Sequence, residues 1–438
     1  MSLGTTEYGF RAIGARELPA IAARAGLDAA AALELAAVAA VLPFRTNRYV
    51  LDELIDWTRA PEDPIFRLTM PHPGMLTDDD RAEVVSLLVG RASAAEIRHT
   101  ATRIRKAMNP HPEEQRTLNR PEAEGESFEG LQHKYRSTVL YFPSNGQTCH
   151  AYCAYCFRWA QFVGDPELHM AAPGPETLLR YLKRHPEVSD VLVTGGDPMI
   201  MSARVLARHL EPLLAPEFEQ LSSIRLGTKA LAFWPHRFVT DPDADELLAL
   251  LSRITASGRH LALMAHVSHT RELETDIVRT AIARLQGTGA TIRCQSPLVR
   301  TVNDSARDWI ALWQSEVRLG MIPYYMFVER DTGPRDHFAV PLAASAALFT
   351  EAYRSVPGLA RTVRGPVMSA TPGKIVIDGV TTIADRRVFA LRFLQARNES
   401  LVGTPFFANY SETARWLDDL TPAFAPRFPH ESSGMPFL

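Results

Sequence analysis

Cys149-His150-Ala151-Tyr152-Cys153-Ala154-Tyr155-Cys156 places three thiols within eight residues, in a chain of 438 residues that has four cysteines in all. So few cysteines in so long a chain cannot make a disulfide framework, and their crowding points to an inorganic centre. A C-x3-C-x2-C loop can wrap one corner of a cubane iron–sulfur cluster and leave the fourth iron without a protein ligand. The rival is a structural zinc in a non-catalytic protein. Zinc normally takes four Cys and His ligands, and here only Cys294 and His150 are obvious candidates for the fourth.

Outward from this loop the chain changes texture. Short apolar runs at 139–143, 191–194, 224–228, 261–267, 291–298 and 322–328 predict strands, with helical patterns between most of them. Strand and helix alternating about six times predict an α/β fold with a parallel sheet, because parallel strands need crossover connections. A partial (β/α)6 TIM-type barrel fits best. In such a barrel the loops at the carboxyl ends of the strands build the active site, and the three cysteines follow the first strand. The segment 1–125 reads as an N-terminal helical region ending in a polar linker, 109–130. Residues 126–374 form the expected core barrel, and 375–438 a packed C-terminal extension.

With Lys+Arg 47 against Asp+Glu 50, the formal charge of −3 gives no reason to expect nucleic acid or an anionic membrane as partner. A small-molecule substrate is expected. The start of the chain lacks a secretory pattern, and the apolar window 21–42 is interrupted by Arg24, Asp28 and Glu34. That window predicts a soluble helix and a cytoplasmic protein.

A cluster with one open iron can chelate the amino and carboxylate groups of S-adenosylmethionine and pass an electron to its sulfonium, releasing a 5′-deoxyadenosyl radical. The spacing, with Tyr155 just before the last cysteine, resembles the radical S-adenosylmethionine superfamily. In order, LQHKY (131–135), CxxxCxYCFR (149–158), VLVTGGDP (191–198), IRLGTKA (224–230), HVSHTRE (266–272), QSPLVRTVND (295–304) and PYYMF (323–327) resemble the lysine 2,3-aminomutase family. LPFRTNRYVLDELID (42–56) and EDPIFRLTMP (62–71) extend the likeness, which covers roughly 42–374.

The resemblance implies a radical S-adenosylmethionine barrel with a [4Fe–4S] cluster on Cys149, Cys153 and Cys156. It assigns Tyr155, Gly195, Gly196, Asp197 and His266 to S-adenosylmethionine, with His269 and Glu272 in the same pattern. Arg158 matches the family arginine that pairs with the substrate carboxylate, which its planar fork suits. The chain has five lysines, Lys106, Lys134, Lys183, Lys229 and Lys374. Only lysine can form a Schiff base with pyridoxal phosphate, and Lys374 sits where the family places that residue.

Two departures bear on the substrate. In lysine-specific members one aspartate matching Asp304 and a second near the pyridoxal lysine hold the distal ammonium; Ser369 or a neighbour replaces the second here. One carboxylate compensates a cationic side chain less well than two, so a substrate other than lysine is expected. The family's C-terminal zinc cysteines are missing, and no zinc is expected. The tail 388–420 resembles a branch with no assignable reaction.

The implied activity is a pyridoxal-dependent amino acid 2,3-aminomutase, an isomerase moving nitrogen from Cα to Cβ, served by a reductant such as flavodoxin or ferredoxin. The resemblance leaves room for a homo-oligomer. The alternative on this scaffold is an enzyme acting on a larger or protein-bound amino acid, or one without pyridoxal phosphate.

Overall fold

The computed structural model describes residues 9–113, 117–123 and 125–432. All six expected strands are present within one sheet of eleven, arranged strictly in chain order. The sheet begins with β1 (Leu131–Tyr135), antiparallel to β2 (Thr138–Tyr141). Parallel to β2 run β3 (Asp190–Val193), β4 (Ser223–Thr228), β5 (His260–His266), β6 (Thr291–Leu298), β7 (Ile322–Val328) and β8 (Arg364–Ala370). Between successive parallel strands lie α1 (Glu176–Arg184), α2 (Ala203–Leu210), α3 (Ala244–Ala256), α4 (Asp276–Gly287), α5 (Ala306–Arg318) and α6 (Leu342–Arg354). Strands covered on both faces need no alternation, which is why β5 buries five consecutive residues, Leu261 through Ala265.

The sheet then turns antiparallel. Strands β9 (Gly373–Ile383), β10 (Arg386–Ala396) and β11 (Pro405–Asn409) add to the edge of β8 as successive antiparallel neighbours. The sheet is therefore mixed, where the sequence predicted parallel pairing alone. Residue 374 lies inside β9, so the sheet runs unbroken across the 374/375 division. A second apolar core, including Phe389, Phe393, Phe406 and Trp416, fastens these strands to Leu342 and Ala346 on α6.

The N-terminal helices share the main core, where Val50 and Leu54 join the same cluster as Val267 and Leu273. The polar segment 109–130 is docked over its described residues: the Asn119 carbonyl accepts from His133 N at 2.8 Å. Among the described residues no helix is long and apolar enough to cross a membrane.

Every strand from β1 to β10 contributes a side chain to one cavity of about 240 Å³, from Gln132 on β1 to Gln395 on β10. Strands distant in the sheet also meet directly: the Lys134 ammonium on β1 donates to the Ala370 carbonyl on β8.

Phe393 is fully buried with its ring 5.2 Å from that of Phe406. Phe393→Ala is expected to cost about 3–5 kcal/mol, read as a lower denaturant midpoint for the chain.

Candidate active site

The cysteine loop leaves the carboxyl end of β2 and is held by backbone contacts from two sides. From the N-terminal region, the Arg45 carbonyl accepts from Tyr152 N at 2.9 Å and the Leu68 carbonyl from Ala154 N at 2.8 Å. Asn47 Nδ2 donates to the carbonyls of His150 (3.1 Å) and Phe233 (3.0 Å). Arg45 Nη1 donates to the Cys149 carbonyl at 3.3 Å.

From the other side comes the turn after β3. Gly196 N donates to the Gly146 carbonyl at 3.1 Å, and Asp197 N to the Thr148 carbonyl at 2.8 Å. A Cβ on Gly196 would lie 2.4 Å from Thr148 O, and one on Gly195 (φ +149°) would lie 2.4 Å from Gln147 Nε2. The space that these glycines leave open is thus filled by the cysteine loop itself. The sequence had reserved it for a cofactor's approach.

Burial raises the proton affinity of all three thiols, Cys153 to about 12, Cys156 to about 11, and Cys149 well above the free value; neighbouring cysteines add to it at Cys149 and Cys153, and Glu329 at Cys156. Arg45 opposes this at Cys149, Lys229 at Cys153 and Arg158 at Cys156. Metal binding must therefore displace three protons. A single tetrahedral zinc with Zn–S bonds of about 2.3 Å would bring its sulfurs to about 3.8 Å from one another. The three thiols do not gather within 4.8 Å as a set; among the described residues the one group that does is His111, Asp331 and Asp418. A cubane spreads its thiolates over separate irons, so this donor set fits a cluster better than a single ion.

Beneath the loop lies a buried polar network. The Tyr155 hydroxyl is 2.8 Å from Ser268 Oγ and 3.0 Å from His266 Nε2. Burial and then the Lys229 charge push His266 far below its ordinary range, so it is a neutral imidazole. Lys229 Nζ pairs with Glu272 Oε1 at 2.7 Å. The other Glu272 oxygen accepts from Ser268 N and His269 N, while His269 Nδ1 accepts from Arg271 N. His269 and Glu272 therefore cap a turn, Glu272 neutralises a lysine and the His266 ring bonds Tyr155; the three do not converge on a metal. Asp197 accepts from Thr228 Oγ1, Lys229 N and Met199 N, and burial raises its carboxyl to about 6. Lys229, whose presence among only five lysines was a signal, belongs to this network and was not singled out from the sequence.

The cavity brings together Tyr155, Arg158, His266, Tyr325, Ser369 and Lys374. Lys374 is the second residue of β9, after the seventh parallel strand. Its amine donates to Gln395 Oε1 at 2.8 Å and lies 5.0 Å from the Tyr325 ring and 5.5 Å from the Tyr135 ring. Burial, then Arg225 and Arg364, lower it to about 7. The Arg158 guanidinium rests on Phe142 (4.7 Å) and Phe157 (5.2 Å).

Asp304 is not in the cavity. It is exposed, and its Oδ2 accepts from Thr301 N at 3.0 Å in a surface turn. The carboxyl that does line the cavity is Glu329 at the end of β7, 5% exposed and held well above the usual range by burial. Glu329 and Gln395 were missed because neither carries a chemistry that its local sequence announces; only the tertiary fold brings them to one cavity.

No family model matches the chain. A protein of Aquifex aeolicus (strain VF5) bearing the name "Putative L-lysine 2,3-aminomutase" is 32% identical over 388 residues, spanning 89% of this chain and 90% of that one. The chain belongs to the lysine 2,3-aminomutase family. That family lies in the radical S-adenosylmethionine superfamily, which implies a [4Fe–4S] cluster and S-adenosylmethionine. The L-lysine 2,3-aminomutase of Escherichia coli (strain K12) is 29% identical over 245 residues, 54% of this chain and 66% of that one. Among solved structures, a radical SAM methyltransferase from Sphaerobacter thermophilus aligns over 53% of this chain and 68% of its own, at 16% identity and a TM-score of 0.37.

Gly196→Ala is expected to displace the cysteine loop without unfolding the core. Anaerobic reconstitution should then yield less than half of the wild-type iron, with an unchanged circular dichroism spectrum.

Proposed function

We propose that this family member is a radical S-adenosylmethionine isomerase, built on a partial TIM-type barrel, that moves the amino group of an α-amino acid from Cα to Cβ with pyridoxal phosphate on Lys374. The observation that carries this is Lys374: an amine lowered to about 7, in the same cavity as Tyr155 and Arg158 of the cysteine loop. Bound at Cys149, Cys153 and Cys156, a cluster with S-adenosylmethionine supplies a hydrogen-abstracting radical. Pyridoxal phosphate supplies a conjugated carbonyl to take up the substrate nitrogen.

What the chain's own residues do follows from their placement. A solvent lysine, with a pKa of about 10.4, keeps only about 0.04% of its amine uncharged at pH 7; Lys374, at about 7, keeps roughly half. It is a nucleophile at neutral pH without needing a base. Arg158 holds its cation beside the cluster loop, stacked on Phe142 and Phe157, and offers two parallel donors to the substrate carboxylate. Tyr155 and His266, whose burial disfavours the protonated ring, line the cavity without adding charge to it. The cavity is lined largely by apolar and aromatic side chains, a setting that limits side reactions of a radical.

The pocket favours a substrate other than lysine. With Asp304 outside, Glu329 is the carboxyl left in the wall, and it sits on the cluster side, close enough to raise Cys156 and Tyr155. A small reductant such as flavodoxin or ferredoxin, a cytoplasmic setting and a homo-oligomer complete the proposal.

The deciding experiment is anaerobic reconstitution with iron, sulfide and pyridoxal phosphate. The wild type should show a pyridoxal absorbance absent from Lys374→Ala, and should release 5′-deoxyadenosine when reduced with the right amino acid. A wild type that binds no pyridoxal phosphate overturns the aminomutase assignment. Covalent capture should increase as pH rises through about 7, because deprotonation of Lys374 exposes its lone pair, and should fall away below pH 6. Arg158→Lys should raise KM for the amino acid by at least tenfold, since an ammonium cannot replace the two-point fork.

A further inference from the structure

The C-terminal strand β10 reaches into the cavity with one polar side chain. Gln395 is registered opposite Lys374 across β9 and β10, lines the same cavity, and accepts a hydrogen bond of 2.8 Å from its amine. The remaining groups that face this amine come from other strands. Tyr135 on β1 and Tyr325 on β7 present ring faces. Arg225 on β4 and Arg364 on β8 repel the ammonium form, and Asp190 on β3 attracts it. Asp190 is itself engaged by Arg225, Nε to Oδ1 at 2.8 Å, so its pull on Lys374 is largely cancelled. Among the described residues Gln395 is the one hydrogen-bond acceptor that touches the Lys374 amine.

An amide and a carboxylate at that spot would act differently. Both accept a hydrogen bond, but a carboxylate brings a full negative charge that keeps a nearby amine protonated. We propose that Gln395 is the positioning residue for Lys374: its neutral amide oxygen aims the amine into the cavity without fixing a proton on it, which makes the C-terminal strand part of the reactive site. This rests on Lys374 being the cavity's reactive amine. It also gives a chemical reason for the tail strands to continue the sheet, since Gln395 reaches Lys374 only through the β9–β10 register.

The test measures Lys374 basicity directly. Full-length, cluster-loaded wild type, Gln395→Glu and Gln395→Leu are reductively methylated with formaldehyde and a borane over a range of pH, and Lys374 labelling is mapped by mass spectrometry. Gln395→Glu should raise the midpoint by about one to three units, as an opposite charge at that distance does. Gln395→Leu should lower it, because a hydrogen bond to the charged form is lost. Gln395→Asn, which withdraws the acceptor, should also lower it and serves if the leucine variant does not fold. Equal midpoints in all the proteins, or glutamate and leucine variants moving the same way, overturn the proposal. A separate arm adds pyridoxal phosphate and traps it with borohydride. If the midpoints diverge as expected while the wild type traps none, the pyridoxal assignment falls and the placement of Gln395 stands.

Discussion

Three buried thiols with no bond to one another have no local reason to stay together, and the backbone contacts that seat their loop are what the rest of the site depends on. On one side Thr148 presses against Gly196 so closely that no side chain fits between them. On the other, Arg45, Asn47 and Leu68 of the N-terminal region take up the loop's amides and carbonyls. Buried backbone polar groups must be paired, so these hydrogen bonds hold the loop through its backbone and not through its thiols. The same pairing sets where Tyr155 and Arg158 point, since both belong to the loop and both line the cavity.

Charge in the cavity is arranged by cancellation. Glu272 is matched by Lys229, and Asp190 by Arg225. Asp197 is wrapped in donors from the start of the turn after β4. The cavity itself holds Arg158, a stacked guanidinium, and Lys374, an amine made less basic by burial and by two neighbouring arginines. Desolvation disfavours the charged form of a lysine, and the arginines act in the same direction. An anionic carboxylate and a carbonyl are the partners those two groups suit, and both groups line one cavity.

Much of this was legible in the chain. Apolar runs gave all six core strands to within two residues, because a parallel strand buried on both faces leaves a plain hydrophobic signature. Strand β8 left none: Arg364-Gly365-Pro366 opens it with residues that read as a turn. The three tail strands were equally hidden, since their Trp and Phe residues fit any packed extension. Asp304 shows the opposite failure. It lies in a matching motif, yet the turn that holds it faces solvent.

The sequence by itself determined the donor set and its order along the chain: three cysteines after the first core strand, glycines after the second, and one lysine near the last. Those are properties of spacing, and spacing is written in one dimension. Tertiary structure alone decided which carboxyl enters the cavity, which partner Lys374 touches, and why the glycines must be glycines. Each of these depends on strands distant in sequence lining one cavity, and no local pattern records which strands of an eleven-stranded sheet will share it.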